Sequence, residues 1–107
     1  MKSIVTDYKE ICAICGKPSE ADHHLVFGNG LRRLSEADGL KIPICNKCHN
    51  MGIACSKIHD NSMAEALSKI VGQLAWEKEF YKNNTRAFID EDPARDAFRK
   101  RYGRSYL

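Results

Sequence analysis

Four cysteines in two C-x2-C pairs, Cys12/Cys15 and Cys45/Cys48, constrain this chain more than any other feature. A tight turn between two thiolates aims both sulfurs at one point, so two such knuckles can share one tetrahedral Zn²⁺. The segment between the pairs becomes a loop pinned at its base. It carries Asp22, His23 and His24, and His49 directly follows the last cysteine of the set. A chain of 107 residues has a modest core, because small domains bury a smaller fraction of their surface. A structural Zn²⁺ contributes on the order of 10–16 kcal/mol of apparent binding free energy, at or above a domain's whole net stability. One domain over residues 1–107 is expected, and its folding is expected to depend on the metal.

At 43% hydrophobic and 29% charged residues, the chain has the make-up of a globular protein and not of a disordered one. A net charge of +3 permits a polyanionic partner without specifying one. Residues 1–10 are mixed and polar, unlike a signal peptide, and no apolar run approaches the roughly 20 residues of a membrane span. A cytoplasmic setting without a membrane partner is therefore expected. There, five cysteines with this spacing read as metal ligands and not as disulfides. Cys55, the odd one, reads as a spare thiol or small core residue. A thiol redox role suits one isolated C-x2-C but not two pairs with clustered histidines.

Along the chain, residues 1–10 read as a lead-in with a short edge strand over 3–6. Residues 11–17 are the first knuckle, with Gly16 supplying backbone freedom. Residues 18–21 are loop. Residues 23–27 have strand character and run into Gly28-Asn29-Gly30, a strong turn signal. Residues 31–39 are polar and irregular, displaying Arg32, Arg33 and Ser35. Residues 40–45 form a second strand, with Pro43 suggesting a sheet edge. The result is a hairpin with a long connection, followed by a short helix over residues 46–54.

Ser62-x-x-Glu65 is a capping box, and Met63, Ala66, Leu67, Ile70, Val71 and Leu74 fall at helical spacing. A helix over residues 62–82 is predicted to pack this face against the zinc core, with Trp76, Phe80 and Tyr81 extending the contact. Asn83-Asn84 marks a break. A basic tail helix is predicted over residues 92–103, with Asp92 as N-cap, Pro93 at its first position and Gly103 ending it. Phe98 and Tyr102 give it a docking face at i, i+4 spacing. Arg95, Arg99, Lys100, Arg101 and Arg104 make it cationic, serving either as solvated charge or as phosphate contacts.

The chain has four histidines, His23, His24, His49 and His59, all within or beside the segment held by the cysteines. A lone histidine is more often a satisfied core or surface residue, but four around one zinc-stapled unit point to a site. One zinc is read as holding the fold, and the histidines as holding a second, catalytic metal. Neighbours on a strand face opposite ways, so one of His23 and His24 binds the ion while the other acts on a water. That division of labour suits metal-assisted hydrolysis of a phosphodiester. Arg32 and Arg33 read either as phosphate clamps or as solubilising charge.

Cys12-x2-Cys15, Asp22-His23-His24 and Leu40-x4-Cys45-x2-Cys48-His49-Asn50 together resemble the HNH endonucleases of the ββα-metal (His-Me finger) class. The stretch from His24 through Gly28-Asn29-Gly30 to Ser35, with the later Ile58-His59, is similar to small phage and prophage members, including the recombination-enhancement nucleases. The likeness covers residues 11–61, about half the chain, and more weakly residues 102–107. It implies an α+β fold: a zinc-stabilised ββα-metal core over residues 11–61, with added C-terminal helices. It also implies a metal-dependent DNA nickase of low intrinsic sequence specificity, leaving 5′-phosphate and 3′-hydroxyl ends. DNA is the implied partner, together with a recombination or phage packaging protein, in the cytoplasm of a bacterial host.

Carried over residue by residue, the resemblance makes His24 the general base, His23 a ligand of the catalytic metal, and His49 and His59 its further ligands. A rival register makes Asp22 the ligand and His23 the base. Asp22 also reads as a carboxylate orienting a histidine ring. Read from their charge, Arg32, Arg33, Arg99 and Arg101 are the expected DNA contacts. Imidazole ligands suit Zn²⁺, Ni²⁺, Mn²⁺ or Co²⁺, whereas Mg²⁺ prefers oxygen. The chain departs from many members at Gly39, where an asparagine usually helps to hold the catalytic histidine. That departure leaves open how the base is oriented, and it favours the alternative of a non-catalytic zinc module binding nucleic acid or protein.

Overall fold

An antiparallel hairpin occupies the centre of the molecule. β1 (Ala21–His24) pairs with β2 (Lys41–Ile44) in the register Ala21↔Ile44, Asp22↔Pro43, His23↔Ile42 and His24↔Lys41. The backbone bonds Glu20 N–H to Ile44 O (3.0 Å) and Leu25 N–H to Leu40 O (2.9 Å) lengthen the ladder at its two ends. With only two strands, Pro43 is on an edge, as its missing N–H requires, and its carbonyl accepts from Ala13 of the first knuckle. The computed structural model describes residues 3–84 and 92–107, so the first two residues of the expected lead-in lie outside the described residues.

The connection between the strands is not irregular. Residues 31–39, expected as a polar loop, hold a helix, α1 (Leu31–Asp38), bracketed by two left-handed glycines, Gly30 (φ 85°) and Gly39 (φ 72°). The Gly39 N–H closes back on the carbonyls of Ser35 and Glu36. Leu31 and Leu34 pack on the core, and Ser35 is fully buried between them and the hairpin. Its hydroxyl donates to Val26 O (2.6 Å) and accepts from Val26 N–H (3.1 Å), standing in for a missing strand partner. Eight residues with two leucines are too short for helical periodicity to stand out.

Two other local expectations change. Residues 3–6 form no strand. The Ser3 hydroxyl donates to Lys41 O (2.5 Å) and accepts from Val5 N–H (3.0 Å), bending the lead-in across the junction of α1 and β2. The helix expected over residues 46–54 is a π-helical turn, Lys47–Met51, followed by a separate 3₁₀ turn, Ala54–Ser56. Gly52 ends the first turn by bonding its N–H to Lys47 O (3.1 Å), an approach that a Cβ would block.

α2 (Ser62–Asn83) is where expected but is capped one residue earlier: Asn61 accepts from Ala64 N–H (3.2 Å), and Glu65 turns away from the backbone. Its buried face is the opposite of the predicted one. Met63, Leu67, Val71 and Leu74 are 45–72% exposed, while Ser68, Gly72, Gln73 and Glu77 are buried. The polar residues can go inside because remote segments satisfy them. Gln73 donates to Glu77 (2.8 Å) and Ser105 (2.9 Å) and accepts from Tyr106 N–H (2.6 Å), and Arg95 caps Glu77 at 3.3 Å. Gly72 lets the helix close on Leu25 and Val26, since a Cβ there would come within 2.9 Å of Val26 Cγ2.

α3 (Pro93–Tyr102) forms as predicted, with Asp92 accepting from Arg95 N–H (3.2 Å) and Gly103 left-handed at its end. Phe98 and Tyr102 stack with ring centroids 4.4 Å apart, and Phe98 meets Trp76 edge-on at 5.6 Å. Asp38 ties three helices together. It accepts from Trp76 Nε1 (3.0 Å), Tyr102 Oη (2.7 Å) and Arg101 Nε (2.6 Å) and Nη2 (2.7 Å). Asp38→Ala strands all three donors, two of them partly buried, and is expected to destabilise the fold by about 2–3 kcal/mol. A denaturant midpoint followed by Trp76 fluorescence checks this; an unchanged midpoint contradicts it. Among the described residues, no helix is long and apolar enough to cross a membrane.

Candidate metal centre

Two groups of potential ligands are brought together. In the first, the sulfurs of Cys12, Cys15, Cys45 and Cys48 lie within 4.8 Å of one another. Gly16, at φ 79°, bonds its N–H to Cys12 O (2.9 Å) and tightens the first knuckle, and Ile14 N–H points at the Cys12 sulfur (3.4 Å). Cys45 is delivered by β2, and its sulfur stands 3.6 Å from that of Cys15. Burial alone raises the Cys12 thiol, but backbone N–H groups of Cys15, Cys45 and Ile14 outweigh it and bring it down to about 6. Cys48 is pushed up to about 12 by burial and by the neighbouring sulfurs. Four crowded sulfurs with one readily ionised member form a donor set consistent with a structural zinc. Cys55 is exposed and lies outside this group.

The second group is His23, His49 and His59, whose ring nitrogens also converge within 4.8 Å. β1 supplies His23 and the turn after Cys48 supplies His49. His59 arrives from ten residues further on because Ile58 N–H bonds Cys48 O (2.8 Å) and His59 N–H bonds His49 O (3.0 Å). These two backbone bonds fold the loop back on the knuckle.

Hydrogen bonding decides which nitrogens face the centre. The Ser68 hydroxyl gives its proton to Leu25 O (2.8 Å), so at 2.8 Å from His23 Nε2 it must accept. His23 therefore carries its proton on Nε2. Its Nδ1 is an unprotonated, fully buried atom without a hydrogen-bond partner among the described residues. His59 sets Nδ1 toward Glu65 (3.4 Å) and Nε2 toward His49 Nε2 (3.0 Å). An orphaned lone pair beside two further imidazoles, one of them backed by a carboxylate, fits a divalent cation. Burial, then the charges of His59, His49 and His24, holds His23 down to about 3; burial, then His59, His24 and Arg32, lowers His49 as well. Both shifts favour the neutral form of the ring, which is the form that can ligate.

His24 leaves the hairpin on the other face. Its Nε2 is 2.8 Å from Glu36 Oε1, and its Nδ1 accepts from Arg32 Nε at 3.3 Å. Lys41 Nζ holds the second Glu36 oxygen at 2.9 Å and lies 3.6 Å from Asp22, which is on this face and outside the histidine group. Arg32 and Arg33 are exposed on α1 and share a shallow concavity with His24, Gly30 and Glu36. Arg99 is paired with Asp96 (3.0 Å) and Arg101 with Asp38, so both tail cations already have acidic partners.

Sequence reasoning names the three converging histidines and both knuckles. It misses Ser68, Glu36 and Lys41, for which no local pattern exists, and it assigns Glu65 to the helix cap instead of to His59. No protein-family model, curated protein or solved structure matches this chain.

Proposed function

We propose that this protein is a metal-dependent endonuclease of the HNH class that hydrolyses DNA phosphodiester bonds, nicking with low intrinsic sequence specificity. One observation carries the reading. Three imidazoles converge on a point, and the histidine adjacent in sequence is held outside that group with its Nδ1 toward an exposed arginine. Asp22 faces Lys41, which favours His23 as ligand and His24 as base over the rival register.

In this mechanism His23, His49 and His59 hold the catalytic cation. Bound there, a divalent ion supplies Lewis-acid stabilisation of the scissile phosphate and its leaving oxygen. Arg32 and Arg33 clamp the backbone phosphates through their planar guanidinium groups. As Arg32 turns to a phosphate, it frees His24 Nδ1, which takes a proton from the attacking water. The water oxygen bonds to phosphorus as the P–O3′ bond breaks, and the departing 3′-oxygen takes a proton from solvent, leaving a 5′-phosphate and a 3′-hydroxyl. Arg99 and Arg101 are assigned outlying contacts, and target choice is left to a partner from recombination or packaging.

Supercoiled plasmid incubated with Mg²⁺, Mn²⁺, Co²⁺, Ni²⁺ or Zn²⁺ tests the proposal. Conversion to the open circle with at least one metal, abolished by a chelator, is the expected result. Elemental analysis should find two sites per chain. One tightly held Zn²⁺ and no nicking under any metal would return the protein to a non-catalytic zinc module.

A further inference from the structure

We infer that Glu36 is the positioning residue for His24: with Arg32, one helical turn earlier on α1, it clamps the imidazole in a single tautomer that presents Nδ1 as the base. The catalytic consequence rests on the nuclease reading; the clamp itself rests on geometry alone.

The two partners of His24 select the same proton arrangement independently. An ionised carboxylate only accepts hydrogen bonds, so Glu36 Oε1 at 2.8 Å requires a proton on Nε2. A guanidinium only donates, so Arg32 Nε at 3.3 Å requires a lone pair on Nδ1. Glu36 is kept ionised by the bond from His24 and then by Lys41, which hold its carboxyl down to about 2. Lys41 is itself buried and is the hairpin partner of His24, so the carboxylate is anchored from the same rung of the ladder.

The helix makes the clamp possible. Arg32 and Glu36 are at i, i+4 and project from one face of α1, so both reach a ring lying alongside it. Gly39 ends that helix in the left-handed conformation, which sends the chain directly into β2 and brings Lys41 opposite His24. The residue that departs from the family pattern thus belongs to the device that orients the base. Arg32 has a second part to play. In the free protein it occupies the lone pair, and a phosphate competing for its guanidinium uncovers the base only when substrate is present.

The test compares Glu36→Ala and Glu36→Gln with the native chain. Glu36→Ala is expected to lower kcat for plasmid nicking about 10²-fold while KM moves little, since a catalytic group displaced by an ångström costs about that much. Glu36→Gln keeps an oxygen that can accept from Nε2–H and is expected to recover most of the rate. In ¹⁵N-histidine NMR spectra, the His24 Nε2 proton should be protected from solvent exchange in the native and Gln forms and exposed in the Ala form. Circular dichroism and metal content monitor folding of each variant.

Native nicking by Glu36→Ala overturns the inference. So does a Gln variant as slow as the Ala variant, or a loss confined to KM. A native chain that nicks nothing would sink the nuclease reading, and the exchange measurement would still decide the clamp: an unprotected Nε2 proton in the native protein refutes it.

Discussion

Withdrawal of the cation from Cys12, Cys15, Cys45 and Cys48 is expected to unfold this protein. The hairpin at its centre has two strands of four residues each, and a two-stranded sheet is marginal in water without further support. Much of that support arrives through the knuckles. Ala13 bonds the edge of β2 through Pro43, Cys45 continues β2 itself, and Cys48 anchors the loop that returns as Ile58 and His59. Zinc binding of the order of 10–16 kcal/mol matches or exceeds a typical net stability of about 5–15 kcal/mol. A strong chelator, or Cys45→Ser, should therefore abolish the cooperative thermal transition seen by circular dichroism and leave Trp76 solvent-exposed. Cys55→Ser, outside the cluster, should leave that transition within about 0.5 kcal/mol of native. A metal-free chain that still melts cooperatively at the native temperature would remove the metal from the folding argument.

On the nuclease reading, His24→Ala is expected to reduce nicking by about 10²–10⁴-fold, the usual consequence of losing a general base. Folding and the content of both metals should stay native, because His24 lies outside both ligand groups. His23→Ala should behave differently. It removes one of the three converging imidazoles and its buried, unpartnered Nδ1, so the second metal is expected to be lost together with activity. Elemental analysis beside the plasmid assay separates the two variants. Undiminished nicking by His24→Ala rejects its role as base. Retention of the second metal by His23→Ala rejects its role as ligand.

The parts of this protein that could be read in advance are those encoded by short-range chemistry. The C-x2-C spacing locates both knuckles, the run Gly28-Asn29-Gly30 turns the chain at three consecutive positive-φ positions, and Asp92-Pro93 with Gly103 delimits α3. What was misread depends on partners distant in the chain. The helical spacing of Met63, Leu67 and Leu74 identifies α2 correctly but says nothing about which face the core will accept. That face is polar, because Ser68, Gln73 and Glu77 meet His23, Ser105, Tyr106 and Arg95. α1 was invisible for the converse reason: its stability comes from Ser35 bonding Val26 and from two glycine caps, not from an apolar stripe.

The same division runs through the metal centre. Taken alone, the order of residues determines that thiols and imidazoles are gathered in one half of the chain, in numbers that call for metal. Tertiary structure alone decided between the two registers, grouping His23 and not Asp22 with His49 and His59, turned His24 to Glu36 and Arg32, and fixed which nitrogen of His23 and of His24 carries the proton. Spacing records which donors are neighbours along the backbone. The direction in which a ring nitrogen points is set by hydrogen-bond partners six to forty-five residues away, and these exist only once the chain has folded.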